Sequence, residues 1–166
     1  EMSRRLGDVY KRQKGDSIKL TKNPTTPYQG YLRAKNNLVM NHDVRYPAEK
    51  VQHRISFVPQ GGNWRDVPEE LWPSNRQNRH SSAYKRLDEE QPSCTIDTGN
   101  NHSNYYHPLY NRIPTVREAA RLQSFSDEFV FEGNRSEQYR QVGNAVPPLL
   151  AKKIASALKE FLDNEK

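Results

Sequence analysis

The sequence has few apolar residues and a single cysteine. Of its 166 residues, 33% are hydrophobic, and the mean hydropathy of −1.07 argues against a large core that is stable by itself. Cys94 has no partner for an internal disulfide, and the five histidines are scattered, so no metal site is indicated. No apolar run approaches the roughly 20 residues of a membrane span, and no cleavable leader is visible. We therefore expect a cytoplasmic protein that forms part of something larger.

The chain is basic, with a formal net charge of +6 and a pI of about 9.4. This charge suits a polyanionic partner, but DNA, RNA and an acidic membrane surface fit it equally well. Residues 3–13 resemble the translation of a transposon-end adapter used in sequencing libraries. We interpret residues 1–13 as a sequencing artefact and leave them out of the fold prediction. The alternative is a basic arm that grips phosphates.

Two segments in the middle of the chain have the composition of short strands. The β-prone run at residues 55–58 leads into an ordered loop at 59–66, where Gly61 and Gly62 permit positive φ. Residues 93–98 again favour a strand and are closed by a turn-forming Gly-Asn-Asn sequence.

The C-terminal third predicts helices. Thr115 and Glu118 have the spacing of a capping box, which predicts a short helix that ends near Gln123. A last helix is predicted to begin near residues 147–148, because proline is tolerated in a first turn. Its apolar positions fall on one stripe, with lysines opposite: Leu150, Ile154, Ala157, Leu158, Phe161 and Leu162. This stripe predicts a partner surface.

Two long strings in this third carry the most specific signal. Residues 115–127 read Thr-Val-Arg-Glu-Ala-Ala-Arg-Leu-Gln-Ser-Phe-Ser-Asp, and residues 138–148 read Gln-Tyr-Arg-Gln-Val-Gly-Asn-Ala-Val-Pro-Pro. In this order they resemble the ninth and tenth motifs of the DNA cytosine-5 methyltransferases. The family usually has Pro-Asp after the aromatic residue, and Ser126-Asp127 departs from this pattern. We expect the change to alter only a turn.

The resemblance assigns roles to both motifs. It implies that Asn144, Ala145 and Val146 contact S-adenosylmethionine, next to a helix start whose free N–H groups and dipole favour a carboxylate. Without the resemblance, the same residues would be an ordinary capped helix start. The ninth motif implies a structural role, in which the recognition domain is organised against the catalytic one, and Gly143 is also structural. The ninth-motif residues are Arg117, Glu118 and Arg121.

The resemblance extends upstream to the DNA-facing part of the family. Residues 92–96 resemble the Thr-Leu-type dipeptide of its target recognition domain, which implies that Thr95 and Ile96 lie at the DNA and that the loop at 97–102 lies near base edges. Asn100 and Asn101 in this loop have side chains that can pair with adenine. The same loop also fits a polar hairpin end.

The loop at residues 59–66 looks like a second recognition loop of this family. Its glycines allow close approach of the backbone, and Gln60, Asn63 and Arg65 offer groove-reading donors. Trp64 fits a packing anchor better than a surface for base stacking.

The family's catalytic residues are not found in this sequence. The chemistry needs a cysteine thiolate that attacks C6 of a flipped-out cytosine, an acid at N3, and methyl transfer from S-adenosylmethionine to C5. The sequence has no Pro-Cys loop, no Glu-Asn-Val motif and no glycine-rich cofactor loop. Cys94 lies in Ser-Cys-Thr and is interpreted as a small, partly buried side chain. We therefore assign no catalytic residue.

These observations predict an α+β fragment whose resemblance covers about residues 24–162. Residues 14–50 are predicted to be a linker and the start of the recognition domain, 51–113 a small irregular target recognition domain, and 114–166 the motif region. In the family, the C-terminal helix packs on a Rossmann-like methyltransferase domain. The expected partners are double-stranded DNA and the missing catalytic domain, on the same chain or a separate subunit. The alternatives are a natural specificity subunit of a split enzyme and a non-catalytic DNA-binding module.

Overall fold

The computed structural model describes residues 17–72, 83–98 and 104–164, in which helices are longer than strands. In chain order the elements are β1 (Ile18–Lys19), α1 (Pro27–Leu32), β2 (Leu38–Val39), α2 (Glu49–Ser56), β3 (Lys85–Arg86), β4 (Tyr105–Tyr106), α3 (Val116–Leu122), α4 (Arg135–Asn144) and α5 (Pro148–Asn164). Two 3-10 turns, Trp64–Asp66 and Glu69–Leu71, lie between α2 and β3. The predicted α+β class is confirmed at this level.

The strands form two short pairs. β1 and β2 are antiparallel, with Ile18 opposite Val39. β3 and β4 are parallel, with Lys85 opposite Tyr105 and Arg86 opposite Tyr106. Since each strand has two residues, side-chain packing rather than sheet hydrogen bonding must carry most of the stability.

The first hydrophobic core surrounds α3 and α4. Its buried members come from both helices and from the segments that pack against them: Ile96, Tyr105, Val116, Ala119, Ala120, Phe131, Tyr139 and Val142. Ala119 and Ala120 are fully buried, and their small side chains let neighbouring elements approach α3 closely. The ninth-motif helix is therefore at the centre of this half of the molecule.

The second core lies in the predicted recognition domain. It contains Ile55, Val58, Val67, Trp72, Tyr84 and Tyr106. The guanidinium of Arg86 links two segments next to this core. Its Nη2 donates to the carbonyl of Ile55 (2.7 Å) and to Oδ1 of Asn111 (2.7 Å). Ile113 packs against both cores and joins them.

Two predictions of secondary structure were wrong. Residues 55–58 were expected to be extended, but Ile55 and Ser56 end α2 and Val58 follows its C-terminus. Ile55 and Val58 are buried in the second core in this conformation, so tertiary packing overrides their strand propensity. Residues 93–98 form no strand, and the predicted closing turn at 99–101 lies outside the described residues.

The final helix differs from the rest of the fold. α5 begins at Pro148, as the sequence predicted, and has no buried residue over its length. Leu149 in its first turn is half-buried, and the other five large apolar side chains are between 52% and 58% exposed: Leu150, Ile154, Leu158, Phe161 and Leu162. At its start, the amide of Leu149 donates to Oγ of Ser124 (3.1 Å), which attaches α5 to the first core.

Candidate functional site

The capping box at the start of α3 is confirmed. The hydroxyl of Thr115 accepts the amide of Glu118 (3.1 Å), and the carboxylate of Glu118 accepts the amide of Thr115 (2.7 Å). The same carboxylate accepts two hydrogen bonds from the buried guanidinium of Arg112, at 2.7 and 2.8 Å. Burial alone would raise the pKa of Glu118, but the bonds and charge of Arg112 outweigh it and lower that pKa to about 2. Glu118 is therefore a charged anchor at neutral pH.

Arg117 is fully buried and binds three backbone carbonyls. Its guanidinium donates to the carbonyls of Met40 (3.0 Å), Ser126 (2.9 Å) and Phe129 (2.5 Å). Arg121 completes the arrangement through a two-bond ion pair with Asp127, at 2.8 and 2.6 Å. These contacts fix the turn that follows α3 against the segment before α2.

The turn at Ser126-Asp127 is well held despite its departure from the family pattern. The amide of Asp127 donates to the carbonyl of Leu32 at the end of α1 (2.7 Å). The hydroxyl of Ser126 accepts the amide of Glu128 (3.2 Å). Serine thus supplies a local side-chain cap in this turn.

Sequence reasoning missed Asn41 and His42, which lie in the segment predicted to be a linker. Asn41 has a φ of 62° and pairs with the backbone of Phe131 through both ends of its amide, at 2.8 and 2.9 Å. Nδ1 of His42 lies 2.9 Å from the hydroxyl of Thr115. Burial lowers the pKa of His42, so the neutral ring can accept a hydrogen bond from the hydroxyl of Thr115. An Asn-His pair in a polar segment gives no periodic signal, but asparagine's tolerance of positive φ was a usable hint.

The tenth-motif string is divided between α4 and the loop that follows it. Gly143 lies in the last turn of α4, and a Cβ at this position would come within 2.5 Å of the amide nitrogen of Thr98 and 2.6 Å of the carbonyl carbon of Asp97. These contacts are with backbone, which cannot swing away as a side chain can. Glycine is therefore required here for close approach rather than for a special φ.

The three predicted cofactor positions come directly after Gly143 in the chain. Asn144 is exposed, Ala145 is half-buried and leaves the helix in an extended conformation, and Val146 is 60% exposed. The amide of Leu149 at the next helix start already donates to Ser124, so not all of the N–H groups there are open to a ligand. The exposed side chains of Asn144 and Val146 remain accessible.

The predicted DNA-facing dipeptide divides into an exposed and a buried residue. Thr95 is exposed, whereas Ile96 is 2% exposed and belongs to the first core. The side chain of Ile96 thus has almost no surface to offer a ligand. The carboxylate of Asp97 is held by the amide of Asn104 (3.2 Å) and the hydroxyl of Tyr105 (3.2 Å). Asn100 and Asn101 lie outside the described residues.

The loop at residues 59–66 is ordered by its own side chains. Gln60 exchanges two hydrogen bonds with Glu89, at 3.0 and 2.9 Å. Asn63 caps the 3-10 turn Trp64–Asp66 by accepting the amide of Arg65 (3.0 Å). The guanidinium of Arg65 is stacked 4.9 Å from the ring centre of Trp64. Trp64 packs against the second core, in keeping with its interpretation as an anchor.

The two glycines of this loop have different roles. Gly61 has a φ of +76°, as the sequence predicted for the loop. Gly62 has no positive φ, but a Cβ there would lie 2.6 Å from Oδ2 of Asp66 and 2.8 Å from Cδ of Pro59. The second glycine is therefore explained by space alone.

A cavity of about 250 Å³ joins the two predicted recognition segments. Gly61 lines it from the loop, and Ser93 and Cys94 line it from the other segment. Lys85 lies between them and donates from Nζ to the carbonyl of Gly61 (2.6 Å). The structure thus brings the two segments to one concave surface with a cation at its edge.

Cys94 is half-buried beside this cavity. Burial raises the pKa of its thiol, which keeps the sulfur protonated and poorly nucleophilic at neutral pH. No group of three or more potential metal ligands occurs among the residues whose positions are described. No helix in the same residues is long and apolar enough to cross a membrane.

The fold of the described residues resembles part of one solved structure. A solved structure described as a DNA modification methyltransferase encoded within a prophage of E. coli superposes with a TM-score of 0.64 and 22% identity. The superposed region covers 92% of this chain and 42% of the solved chain. At this identity the likeness concerns the fold alone.

The sequence specifies the family. The model of the C-5 cytosine-specific DNA methylases matches residues 9–160, and the chain belongs to that family. The type II methyltransferase M1.HphI of Haemophilus parahaemolyticus is 42% identical over 131 residues, and M.DdeI of Desulfomicrobium norvegicum is 32% identical over 155 residues. These matches use 79% and 85% of this chain but 34% and 37% of the relatives. The chain therefore spans about a third of their length.

In one relative, the matched region makes up nearly the whole protein. The type II methyltransferase M.AquIB of Picosynechococcus sp. is 37% identical over 139 residues, which are 77% of this chain and 93% of that protein. A curated type II methyltransferase thus consists almost wholly of the region that this chain resembles.

Proposed function

We propose that this chain is the DNA-recognition and C-terminal part of a DNA cytosine-5 methyltransferase. The intact enzyme would transfer a methyl group from S-adenosylmethionine to C5 of cytosine in a specific DNA site. The observation that carries the proposal is the match of residues 9–160 to the model of the C-5 cytosine-specific DNA methylases. The close approach of Gly143 to the backbone at 97–98 supports it, because it joins the segments that we propose to face the cofactor and the DNA.

On the cofactor side, Asn144, Ala145 and Val146 would contact S-adenosylmethionine. The exposed Asn144 and Val146 fit one wall of such a site, since an amide can bind the polar groups of the methionine part and valine can cover its apolar atoms. The remaining walls and the nucleophilic cysteine would come from the catalytic domain, because burial raises the pKa of the Cys94 thiol and Cys94 lies in the segment that we propose to face DNA.

On the DNA side, Thr95 would contact the duplex directly, and Ile96 would act from the core by holding Thr95 in place. Arg65 is exposed and has the guanidinium geometry that reads guanine. Gln60 and Asn63 would present the loop at residues 59–66 to the groove, although both side chains already bind neighbouring groups in the free chain. Asn100 and Asn101 complete the proposed contacts with base edges.

DNA binding by the purified chain tests this proposal. We expect weak binding to duplex DNA and no methyl transfer from radiolabelled S-adenosylmethionine without another polypeptide. Arg65→Ala should weaken binding by about 1–3 kcal/mol if Arg65 reads a base. Arg45→Ala is the matched control, because Arg45 is exposed and pairs only with Asp43. Methyl transfer by the chain alone, or equal loss in both variants, would contradict the proposal.

A second candidate is a natural DNA-specificity subunit whose catalytic half is a separate polypeptide. The relative from Picosynechococcus favours it, because 93% of that protein is covered by a region of this kind. Both candidates use the same DNA-facing and cofactor-facing residues. They differ only in whether the catalytic half is covalently attached.

The DNA sequence upstream of Lys14 separates the two candidates. A continuous reading frame that encodes a Pro-Cys loop would support one long enzyme. A start codon near Lys14 with a neighbouring catalytic gene would support the split enzyme. Co-expression of that neighbour with this chain should then restore site-specific methylation, which neither polypeptide alone would show.

A further inference from the structure

Gln123 occupies a buried position between the two proposed binding segments. It follows α3 and is 8% exposed. Its Nε2 donates to the carbonyl of Val142 in α4 at 2.6 Å and lies 3.5 Å from the carbonyl of Ile96. One amide group therefore reaches both the helix that leads to Asn144 and the segment that presents Thr95.

Two further contacts bind the same segments together. The missing side chain of Gly143 allows the backbone at 97–98 to touch α4. The side chains of Ile96 and Val142 are 2% and 0% exposed and share the first core. Ile96, which follows Thr95 in the chain, therefore packs in one unit with Val142, which lies two residues before Asn144.

We infer that Gln123 is a positioning residue that holds the segment at 94–98 and the loop at 143–146 in one fixed relation. This inference rests on the proposed function, in which the first segment faces DNA and the second faces the cofactor. Methyl transfer needs both ligands in register, since small misplacements of reacting atoms are costly in rate. A contact shared by both segments supplies that register inside this chain.

The chemistry of the side chain fits this role. A glutamine amide has two N–H donors and no charge, so it can serve two carbonyls without the cost of a buried ion. Methionine has nearly the same shape but no donor, and would leave both carbonyls without this partner. Gln123→Met therefore removes the polar link while it preserves packing.

The single cysteine provides a local probe of the DNA-side segment. Cys94 is half-buried, so its rate of modification by a thiol reagent reports opening of residues 94–98. Hydrogen exchange of the amides at 142–145 reports the end of α4, where the amide of Ala145 donates to Val142. In Gln123→Met we expect both rates to rise about tenfold, because a buried hydrogen bond that holds both segments is lost.

Two controls separate this link from general destabilisation. Gln138 also donates from Nε2 to a carbonyl, that of Gly133 (2.9 Å), but this bond is exposed. Gln138→Met therefore makes the same chemical change on α4 outside the buried link and should change neither rate more than twofold. Ile55→Val removes a buried methyl group from the second core and so lowers the stability of the chain, but it should leave both local rates unchanged. Equal increases in all three variants would overturn the inference.

A rise in only one of the two rates would also overturn it, because Gln123 would then support a single segment. If Gln123→Met does not fold, Gln123→Leu serves instead, since it also removes the amide that reaches Val142 and Ile96 and should again raise both rates. Neither readout requires DNA. Failure of the wild-type chain to bind duplex DNA would refute the proposed function and leave this result standing.

Discussion

The helices α3 and α5 invert the usual relation between polarity and burial. Arg117 on α3 is fully buried, whereas Leu158 on α5 is 58% exposed. Charged groups are costly to bury unless they are paired and hydrogen-bonded, and α3 meets this condition through backbone carbonyls and Asp127. Among the residues that the structure describes, no element buries the large apolar residues of α5.

This difference separates a helix whose side chains are buried by the rest of the chain, α3, from a helix whose apolar side chains are left exposed, α5. The buried guanidinium of Arg117 on α3 finds its hydrogen-bond partners within this chain, because the backbone at Met40 and at Phe129 accepts from it. The stripe on α5 is a continuous apolar surface of the kind that marks an interaction site. We interpret α3 as the internal scaffold, and we propose that α5 is the surface that contacts the catalytic domain.

The strongest test of this comparison removes the buried charge. Arg117→Met should lower the free energy of unfolding by about 3–5 kcal/mol, because it leaves carbonyls and part of Asp127 uncompensated in the interior. Urea unfolding followed by circular dichroism measures the loss. Arg140→Met is the matched control, since Arg140 is exposed on α4 and should cost less than about 0.5 kcal/mol. Similar losses in the two variants would show that α3 is no special scaffold.

A smaller effect is expected at the segment that α3 holds. Asn41→Ala should cost about 2 kcal/mol, because it removes both hydrogen bonds to Phe131 and places alanine at a positive φ. Asn37 has a similar φ of 57° but accepts one hydrogen bond, from Arg33 at 3.2 Å. Asn37→Ala should therefore lose about 1 kcal/mol less in the same urea titration. Equal losses would mean that conformation, not pairing with Phe131, explains Asn41.

The comparison also explains what the sequence could predict. The capping box of α3 and the proline start of α5 are local patterns, and both were found where the sequence placed them. Ile55 and Val58 misled the prediction because their strand propensity is local whereas their burial is tertiary. Asn41 and Gln123 escaped notice because their partners are 90 and 19 residues away.

The candidate site shows the same division. Residue types and motif order give a prediction of which segments face DNA and the cofactor, but they could not show that Ile96 is buried beside an exposed Thr95. Nor could they show that Gly143 touches the backbone at 97–98. Such contacts join segments that are distant in the chain, and no sequence period encodes them.

Acidification should destabilise the region around α3 in two steps. Burial, against the opposing charge of Glu118, lowers the pKa of His107 from 6.5 to about 4, so between these values the unfolded state binds more protons and stability falls as the pH falls. Glu118, with a pKa of about 2 instead of 4.5, extends the loss below pH 4.5. After allowance for solvent screening, we expect the first step to be about 1 kcal/mol between pH 7 and 5.

Urea titrations at pH 7 and pH 5 measure this first step. His107→Gln should reduce it without abolishing it, because burial also lowers the pKa of His42. His53→Gln is the control, since His53 is exposed on α2. An unchanged pH dependence in His107→Gln would mean that the acid sensitivity arises away from α3.

The smallest effect on stability is expected on α5, and it is the sharpest test of the comparison. Leu158→Asp should change the free energy of unfolding of the isolated chain by less than about 0.5 kcal/mol, because the side chain is already exposed. The same substitution should weaken association with the catalytic half by about 2 kcal/mol or more, roughly thirtyfold, if Leu158 is central to that interface. Ser156→Asp adds the same charge on the polar side of the helix and should leave association nearly unchanged. Should Leu158→Asp instead unfold the isolated chain, the stripe would be part of its core, and the contrast between α3 and α5 would fail.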